Sequence, residues 1–474
     1  MLLNIPDIKT DSEILKKAYR IAAGDISGNI TLFKSGLLKK EVPCILAGLD
    51  YDTPWTRDTA INVWNALAVI SPETAKNTLL AVCENSEKGR IIGTGWHQYW
   101  DCMIWTLGAY HYCLVNNDSG FLKTVFEITL NTLKIYENNE FDKDKNLFRG
   151  PAVYGDGAGA YPDKYGLSEN FSSSVLDWVE RNPDKRNPKG YGLPMFSLST
   201  NCMYYMVYKV CEKISEKLNT DGAEFKEKAE KLKIAVNKYF WNEKKGSYDY
   251  LAGECDYQEG LGISFAILSG IADGEKTDLL FKNIYISEHG IPCVWPCYER
   301  YLKKGNLGRH SGTVWPFIQG FWGQSLMKEK QFRAFDENLR LMAEKALKDG
   351  QFAEIYHSIT GEIYGGLQEN NNPKNQKDIG VNDIVMWKSA RRQSWSATAF
   401  LSLIYYCVLG LQYNGDVLRI KPYLPGFLNE ITVSGIPFGK DRLKITVKRN
   451  SDAPKEIILY SDNVECLEIE LGYC

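Results

Sequence analysis

Carboxylates and aromatic rings occur together in four stretches of the sequence, each beside an apolar run. The first stretch, PWTRDTA, places Trp55, Arg57 and Asp58 directly before the apolar run 60–70. An unpaired buried charge is strongly unfavourable, so Arg57 and Asp58 must pair with other charges or face a wet cavity. Two interpretations remain open: an ion pair at the start of a helix, where a carboxylate is stabilised, and a clamp on the hydroxyl groups of a sugar.

The second stretch is RIIGTGWHQYWDCMIWTLG, in which a glycine-rich segment precedes Trp96, His97, Trp100 and Asp101. Histidine is rare in this chain. Of its five histidines, those at positions 97, 310 and 357 lie in or beside the four stretches. This distribution favours a functional site over histidines scattered through a core.

The third stretch, NLFRGPAVYGDGAGAYPDKYG, contains Tyr154, Asp156 and Asp163. The glycines that flank Asp156 allow the backbone to approach a ligand closely or to turn sharply. The alternative is a flexible loop with a turn-forming Asp-Gly pair.

The fourth stretch is spread over GRHSGTVWPFIQGFWGQ, QFAEIYHSITGEIYGG and WKSARRQSWSATAFL. It contributes the candidate site residues His310, Trp315, Glu354, Tyr356, Arg392 and Trp395. Glu354 stands between Ala353 and Ile355, and a carboxyl group in such apolar surroundings either stays protonated or requires a partner. One of the two adjacent arginines, Arg391 or Arg392, is expected to pair with a carboxylate.

These residue types fit the cleavage of a glycosidic bond. One carboxylic acid protonates the leaving oxygen, a second carboxylate activates a water molecule, and aromatic rings stack on the sugar. The sequence contains no Walker A loop, no dinucleotide fingerprint and no HExxH motif. The pair Cys293 and Cys297 in CVWPC has no second Cys/His pair nearby, so we predict no metal site and no cofactor.

The elements that must position these residues are helices in pairs. One member of each pair is apolar nearly all round, and the other has a single apolar stripe, as with Phe332, Phe335, Leu339, Met342 and Ala346. The predicted pairs are 60–70 with 71–86, 100–114 with 119–136, 199–215 with 222–240, 260–270 with 274–283, 312–327 with 330–348, and 393–409 with 12–23. Six hairpins with buried inner members predict an (α/α)6 toroid, whose funnel is lined by loops at one end.

Beyond Gly410 the sequence changes to short alternating segments: VLRIKPYLP, EITVSGIPF, RLKITVKRN, EIILYS and CLEIEL. Gly, Pro, Asn and Asp separate them, which is typical of strands. We therefore predict two domains, an (α/α)6 barrel over 1–411 and a small β domain over 412–474.

Bulk properties exclude several classes of partner. The formal net charge of -3 gives no basic field, so nucleic acid is not expected as a partner. No secretory signal or membrane-spanning apolar stretch is present in the sequence, and the twelve cysteines are scattered as expected of reduced thiols. We expect a cytoplasmic protein that does not contact membranes, and nothing in the sequence indicates its oligomeric state.

The motifs together resemble the six-hairpin glycosidases, which include glucoamylases, processing α-glucosidases and the glucosidase domains of debranching enzymes. PWTRDTA resembles the W-x-R-D segment of that superfamily, whose Arg-Asp pair binds outer hydroxyls of the terminal sugar. FAEIYHSITGE resembles the segment that carries the catalytic base, which implies that role for Glu354. GRHSGTVWPFI and RRQSWSATAFL resemble the flanking helices, and LRIKPYLPGFLNEITVSGIPF resembles a C-terminal β unit of some relatives.

The resemblance implies an inverting exo-acting glycoside hydrolase, α-glucosidase-like, that releases a terminal sugar from short oligosaccharides or glycosides. It implies Asp156 as the general acid, with Asp101 and Asp163 as alternatives. A small carbohydrate is then the binding partner.

Three other functions stay open on the same fold. A disaccharide phosphorylase would need phosphate ligands, for which His310, Ser311, His357 and Ser358 are candidates. An α-L-rhamnosidase-like enzyme would use the same carboxylate chemistry. A non-catalytic sugar-binding protein is the third, because fold does not fix function.

Overall fold

Six helices form a closed inner ring. The computed structural model describes residues 5–93, 100–166, 172–370, 383–461 and 468–473. The inner helices are Thr56–Asn62 with its continuations Val63–Leu67 (π-helical) and Ala68–Ile70, then Ile104–Asn116, Leu198–Lys217, Gly260–Ser269, Pro316–Lys328, and Ser394–Ser402 with its π-helical continuation Leu403–Val408. Each contacts the next, and the last contacts the first, so the ring closes.

Six outer helices complete the hairpins. They are Pro72–Ala81, Ser119–Asn139, Ala223–Tyr239, Glu275–Asn283, Phe332–Asp349 and Glu13–Gly28. Five of them follow an inner helix in sequence. The sixth, Glu13–Gly28, precedes the first inner helix and packs against both the last inner helix and Phe332–Asp349. The predicted (α/α)6 toroid is confirmed.

Burial separates the two rings as the apolar pattern predicts. Every residue of Ser394–Ser402 is buried, whereas Phe332–Asp349 buries one face only. Phe332 was predicted to belong to the buried stripe, yet it is 39% exposed and stacks on Tyr423 at a centroid distance of 4.6 Å. The helix begins at this residue, so its ring packs on the C-terminal segment instead of the inner ring.

Two glycines allow the inner helices to approach closely. A Cβ at Gly108 would lie 2.5 Å from the carbonyl oxygen of Ala60, and a Cβ at Gly320 would lie 2.6 Å from the Cβ of Ala399. Both contacts join neighbouring inner helices, so any larger residue would push the ring apart.

The C-terminal region forms two sheets, which confirms its β character. Leu411–Asn414, Val417–Ile420 and Ile457–Tyr460 form an antiparallel sheet. Asp7–Thr10, Glu430–Phe438, Asp441–Arg449 and Glu468–Tyr473 form the other, in which the last strand runs parallel to its neighbour. This second sheet thus takes its edge strand from the N-terminal segment. The predicted boundary between the two domains at residue 411 stays a prediction.

Short two-stranded sheets lie in the connections between helices; some are hairpins, and others join segments that enclose a pair of helices. They include Ile30–Phe33 with Val42–Ile45, Trp241–Asn242 with Ser247–Tyr248, Gln258–Glu259 with Val294–Trp295, Thr313–Val314 with Tyr356–His357, and Leu367–Asn370 with Asp383–Met386. Cys83–Ser86, predicted as the end of a helix, is a strand paired with Gly89–Ile92. The helix ends at Ala81 because the following GRII segment offers this stretch a β partner.

The ten described cysteines are all buried and unpaired with one another. Among the described helices, none combines the length and the apolar character that crossing a bilayer requires.

Candidate active site

A cavity of about 280 Å³ lies where the loops at one end of the ring converge. The starts of the first, fifth and last inner helices meet there. Its lining residues are Tyr51, Trp55, Arg57, Asp58, Asp156, Gly157, Ser173, Ser174, Arg309, His310, Trp315, Glu354, Gln368, Trp387 and Trp395. Residues from three of the four stretches singled out in the sequence, the first, third and fourth, therefore border one space.

Glu354 is buried on one wall and held by three hydrogen bonds. The Tyr51 hydroxyl donates to its Oε1 at 2.8 Å. Arg309 Nη2 donates to Oε2 at 2.7 Å, and the Ala390 N–H donates to the same oxygen at 3.0 Å. The partner that this apolar setting demands is therefore Arg309, which makes Glu354 a buried, charge-paired carboxylate.

Arg309 is itself anchored by the backbone. Its Nη1 donates to the carbonyl oxygens of Gly365 at 3.2 Å and Lys388 at 2.9 Å. The guanidinium also lies 5.5 Å from the Trp315 ring centroid. These contacts fix the cation, and through it the Glu354 carboxylate, in one position.

On another wall, the Arg57 guanidinium pairs with two carboxylates, and a third lies nearby. Arg57 Nη1 lies 3.0 Å from Asp101 Oδ2, and Arg57 Nη2 lies 3.6 Å from Asp156 Oδ1. Asp58, the adjacent residue, is buried and accepts a 3.3 Å hydrogen bond from Gln393 Nε2. With all three carboxylates ionised, this cluster would carry two uncompensated negative charges.

The electrostatics of this cluster favour bound protons. Burial raises the pKa of Asp58 to about 7, against the lowering influence of Arg57 and with a further rise from neighbouring carboxylates. Burial likewise raises the pKa of Asp101 to about 7, opposed mainly by Arg57. The cluster can therefore hold a proton near neutral pH.

The three candidate acids differ in their access to the cavity. Asp156 lines it, with its side chain 36% exposed. Asp101 is fully buried against Arg57 and does not line the cavity. Asp163, with a 59% exposed side chain, binds Arg300 Nη1 at 2.9 Å. Only Asp156 of the three faces the space where a substrate would lie.

Aromatic rings form much of the remaining wall. Trp55, Trp315, Trp387 and Trp395 all border the cavity. The rings of Trp315 and Trp395 lie 5.9 Å apart and inclined by 64°, and the Arg57 guanidinium lies 5.6 Å from the Trp395 centroid. The arrangement can accommodate a sugar ring between apolar faces and charged edges.

Five of the predicted substrate-binding residues do not line the cavity: Asp101, already described, and Trp100, Tyr154, Tyr356 and Arg392. Trp100 is buried and donates from Nε1 to the Ala152 carbonyl oxygen at 2.7 Å. Tyr154 is buried behind His310, and its hydroxyl donates to the Cys293 carbonyl oxygen at 3.3 Å.

Tyr356 is also buried; its hydroxyl accepts from the Ala353 N–H at 3.3 Å. The side chain of Arg392 is half exposed, and its Nε lies 3.8 Å from Asp25 Oδ1. Arg391 forms a bidentate surface pair with Asp50. Trp96 and His97, also predicted to bind substrate, lie outside the described residues.

Several lining residues were not predicted: Tyr51, Gly157, Ser173, Ser174, Arg309, Gln368 and Trp387. Tyr51, Gly157, Arg309 and Trp387 adjoin or fall within the stretches singled out in the sequence, so a signal for them existed. Gln368 had none, because its strand is placed at the cavity by long-range contacts, among them the bond from the Arg309 N–H to the Leu367 carbonyl oxygen at 2.8 Å.

Among the described residues, no group of three or more His, Cys, Asp or Glu side chains is arranged to hold a metal ion.

A ring of six hairpins with opposed carboxylates at its mouth is the architecture of a six-hairpin glycosidase. Residues 55–396 match the model of the mannosylglycerate hydrolase MGH1-like glycoside hydrolase domain. The chain belongs to this family of glycoside hydrolases. No curated protein sequence matches it.

Solved structures share the fold at low sequence identity. A protein described as a sialidase is 12% identical, with a TM-score of 0.69 over 96% of this chain and 40% of that chain. A GH78 rhamnosidase of Bacillus sp. GL1 is 13% identical, with a TM-score of 0.56 over 99% of this chain and 43% of that one.

A GH63 mannosylglycerate hydrolase from Thermus thermophilus, in complex with glucose, is 14% identical, with a TM-score of 0.58 over 82% of this chain and 100% of that one. The chain thus spans about two fifths of the length of the sialidase and the rhamnosidase, and the whole of the Thermus enzyme is matched.

Proposed function

We propose that this chain is an inverting, exo-acting glycoside hydrolase that removes one terminal sugar from a short glycoside. Asp156 is the general acid and Glu354 the general base. The observation that carries the proposal is that these two carboxyl groups line one cavity in different settings. Glu354 is buried and charge-paired, whereas Asp156 is partly exposed.

The hydrogen bonds of Glu354 suit a base. An ionised carboxylate has about four acceptor positions, and Tyr51, Arg309 and Ala390 occupy three of them. The remaining position is on Oε1, where a water molecule can donate its proton. Arg309 Nη2, 2.7 Å from Oε2, supplies a positive charge beside the carboxylate.

The position of Asp156 suits an acid. Its carboxyl group lies at the cavity wall, where it can reach the oxygen of the bond to be cleaved. After it gives up its proton, the carboxylate lies 3.6 Å from Arg57 Nη2, which stabilises the charge that develops. Arg57 therefore assists the leaving group's departure as well as substrate binding.

Arg57 and Asp58 form the clamp on the terminal sugar. Asp58 is held by Gln393 and presents a carboxyl group to the cavity, while Trp315 and Trp395 supply ring faces. The helix ring closes the cavity from below. Its volume corresponds to about nine water molecules at roughly 30 Å³ each, which suits one sugar with a small aglycone.

Charge favours a neutral substrate. Among the described lining residues, three carboxylates (Asp58, Asp156 and Glu354) face two guanidiniums (Arg57 and Arg309), each already paired. An anionic group on the substrate would meet no unpaired guanidinium among them. We propose neutral hexosides, α-glucosides first and rhamnosides or mannosides next, over glycosides of acids such as glycerate.

A screen of aryl glycosides and natural disaccharides, with the product anomer followed by NMR, tests this function. We expect turnover of a neutral α-glycoside with initial release of the inverted anomer. Initial release of the retained anomer would contradict the inverting mechanism. Absence of turnover with every glycoside would contradict the proposed hydrolase activity.

Phosphorolysis is less well supported. Of its four candidate phosphate ligands, His310 alone is among the described residues that line the cavity. Ser311 Oγ accepts from the Tyr298 N–H, and His357 Nδ1 accepts from the N–H groups of Ile359 and Thr360. Phosphate-dependent release of a sugar phosphate in the same screen would reverse this choice.

A further inference from the structure

Two polar side chains on the cavity wall are buried with polar atoms that lack a hydrogen-bond partner. His310 is 3% exposed, and neither of its ring nitrogens is bonded. Gln368 is 4% exposed, and its Oε1 is likewise unbonded. Arg57 Nε, Trp387 Nε1 and Trp395 Nε1, whose residues border the same cavity, are unbonded as well. Since buried polar groups in proteins nearly always have partners, unbonded atoms gathered around one cavity indicate groups that await a ligand.

Gly157 brings these two side chains to the same point. A Cβ at this glycine would lie 2.2 Å from Gln368 Oε1 and 3.0 Å from His310 Nδ1. The two side chains therefore lie against the bare Gly157 Cα and occupy the space that a methyl group would take; we call this point of convergence the Gly157 notch. Gly157 follows Asp156 in the chain, so a substrate group bonded by these side chains lies near the bond that is cleaved.

The notch suits a hydroxyl group in preference to an anion. Burial, Arg309 and Arg57 together hold the pKa of His310 well below its ordinary value, so the imidazole is neutral. A neutral imidazole has one N–H donor and one acceptor nitrogen, and Gln368 Oε1 is an acceptor. A hydroxyl can accept from the first and donate to the second, whereas an anion can only accept.

The imidazole is held rigidly for such a role. Its ring stacks between Tyr154, at a centroid distance of 5.9 Å, and Trp315, at 4.8 Å. Gln368 lies on a strand whose next residue, Glu369, binds Arg300 Nε at 2.9 Å. Arg300 Nη2 also donates to the carbonyl oxygens of Ala158 and Tyr161, which ties the Gln368 strand to the Gly157 loop.

We propose that His310 and Gln368 jointly recognise one hydroxyl group of the bound sugar at the Gly157 notch, and that this pair determines which sugars the enzyme accepts. The inference rests on the proposed function, since it assigns a specificity determinant to the same cavity. A site built to bond a substrate hydroxyl discriminates strongly against an analogue that lacks it, because the buried polar groups are then left unpaired.

Binding of monosaccharides and their monodeoxy analogues tests the pair without requiring hydrolysis. The probes are D-glucose, D-mannose and L-rhamnose with their deoxy series, and the signal is fluorescence of the cavity tryptophans. For wild type we expect one deoxy position that weakens binding by about tenfold or more, equivalent to roughly 1.4 kcal/mol. In Gln368→Met and His310→Phe the same deletion should weaken binding by less than about threefold, while other positions keep their wild-type ratios.

Two further variants separate recognition from general packing. In Gly157→Ala the added Cβ would displace Gln368 Oε1, which it would approach to 2.2 Å, so the same discrimination should be lost although both polar side chains are still present. Gln319→Met is the matched control, because the Gln319 side chain is also buried with an unbonded Oε1 but does not line the cavity. It should keep the wild-type pattern.

The outcomes are distinct. The pair's role would be overturned if the ratio of dissociation constants for deoxy and parent sugar were equal in wild type and in the Gln368 and His310 variants. It would also be overturned if folded wild type bound no sugar. Loss of discrimination in Gln319→Met would assign the effect to packing and overturn it as well. If the Gln368 and His310 variants lose the discrimination against the deoxy sugar but no glycoside is hydrolysed, the proposed function fails while the recognition site stands.

Discussion

Arg309 Nη2 and Glu354 Oε2 form a 2.7 Å charge-assisted hydrogen bond inside the wall of the cavity. The Glu354 side chain is only 3% exposed, so its charge depends on this one cation and on two further donors. A buried pair of this kind fixes the direction of the carboxylate, and it makes the two residues energetically dependent on each other.

Replacing Arg309 by Met should therefore destabilise the protein. Removing one partner of a buried pair leaves an uncompensated charge, and we expect the free energy of unfolding to fall by about 3–5 kcal/mol. Adding Glu354→Gln to the same variant should recover part of that loss, because no charge then remains. Urea unfolding of the four proteins of this double-mutant cycle measures the coupling; additive effects would show that the pair is not coupled.

Glu354→Gln alone should remove turnover while sugar binding persists. The amide cannot take a proton from water, and we expect kcat to fall by roughly 10²–10⁴-fold or more. Glu362→Gln is the control, since Glu362 is exposed in the same segment and should retain wild-type kcat. Unchanged turnover in Glu354→Gln would contradict the assignment of the base.

Asp156→Asn should reveal the acid through its dependence on the leaving group. Substrates with a good leaving group, such as nitrophenol, need little protonation, so their hydrolysis should fall far less than that of alkyl glycosides. The comparison variant is Asp163→Asn, whose carboxylate pairs with Arg300 away from the cavity. If the leaving-group dependence appears in Asp163→Asn and not in Asp156→Asn, the acid is misassigned.

Glu259 predicts a specific dependence of stability on pH. It precedes the fourth inner helix and is fully buried, and burial raises its pKa to about 8, with hydrogen bonds from Ser199 acting in the opposite direction. Its ordinary value is 4.5, so between pH 4.5 and 8 the folded state keeps a proton that the unfolded chain has lost. The contribution to stability is therefore full at low pH and is lost as pH rises to about 8.

Glu259→Gln should remove this dependence, because the amide does not ionise and can still accept from the Ser199 N–H. Relative to wild type, the variant should gain stability steadily from about pH 4.5 to about pH 8, with no further change above. Thermal unfolding at several pH values measures the difference. A constant or opposite difference would show that Glu259 is ionised in the folded protein.

Substrate charge gives a further prediction. Because the described cavity lining has three carboxylates and two already paired guanidiniums, kcat/KM for a neutral methyl or aryl glycoside should exceed that for the glycerate glycoside of the same sugar. Raising the salt concentration should reduce this difference in kcat/KM, since screening weakens the repulsion between the cavity carboxylates and the glycerate. A preference for the glycerate glycoside would indicate a cation that the described lining lacks.

The helix pairing was predictable because it follows from a repeating apolar pattern. Inner helices such as Ser394–Ser402 are buried all round, and the sequence shows this directly. The convergence of Arg57, Asp58, Asp156 and Glu354 on one cavity could likewise be predicted, since the first two lie at the start of an inner helix and the other two lie in loops between helices. The direction in which each side chain points could not be predicted. Trp100 and Tyr154 lie close in sequence to cavity residues, but their side chains pack into the core.

Long-range pairing explains the remaining omissions. Arg309 adjoins His310 in a stretch that was singled out, yet its bond to Glu354 spans 45 positions and has no local pattern. Gln368 meets Gly157 through long-range contacts, among them those of Arg300, which bonds Glu369 of the Gln368 strand and the carbonyl oxygens of Ala158 and Tyr161. Contacts of this kind depend on the closed ring, and no periodicity in the sequence encodes them.

The closure of the ring also sets an order in time. Asp58 receives its hydrogen bond from Gln393, 335 positions later, and Asp7–Thr10 pairs with Glu430–Phe438. At a synthesis rate of about 5–20 residues per second, the ribosome delivers Gln393 about 20–70 s after Asp58. Throughout that interval the nascent chain already carries Arg57 and Asp58 but cannot complete their surroundings. Sugar binding and catalysis should therefore arise together, late, and only when the last inner helix has been released.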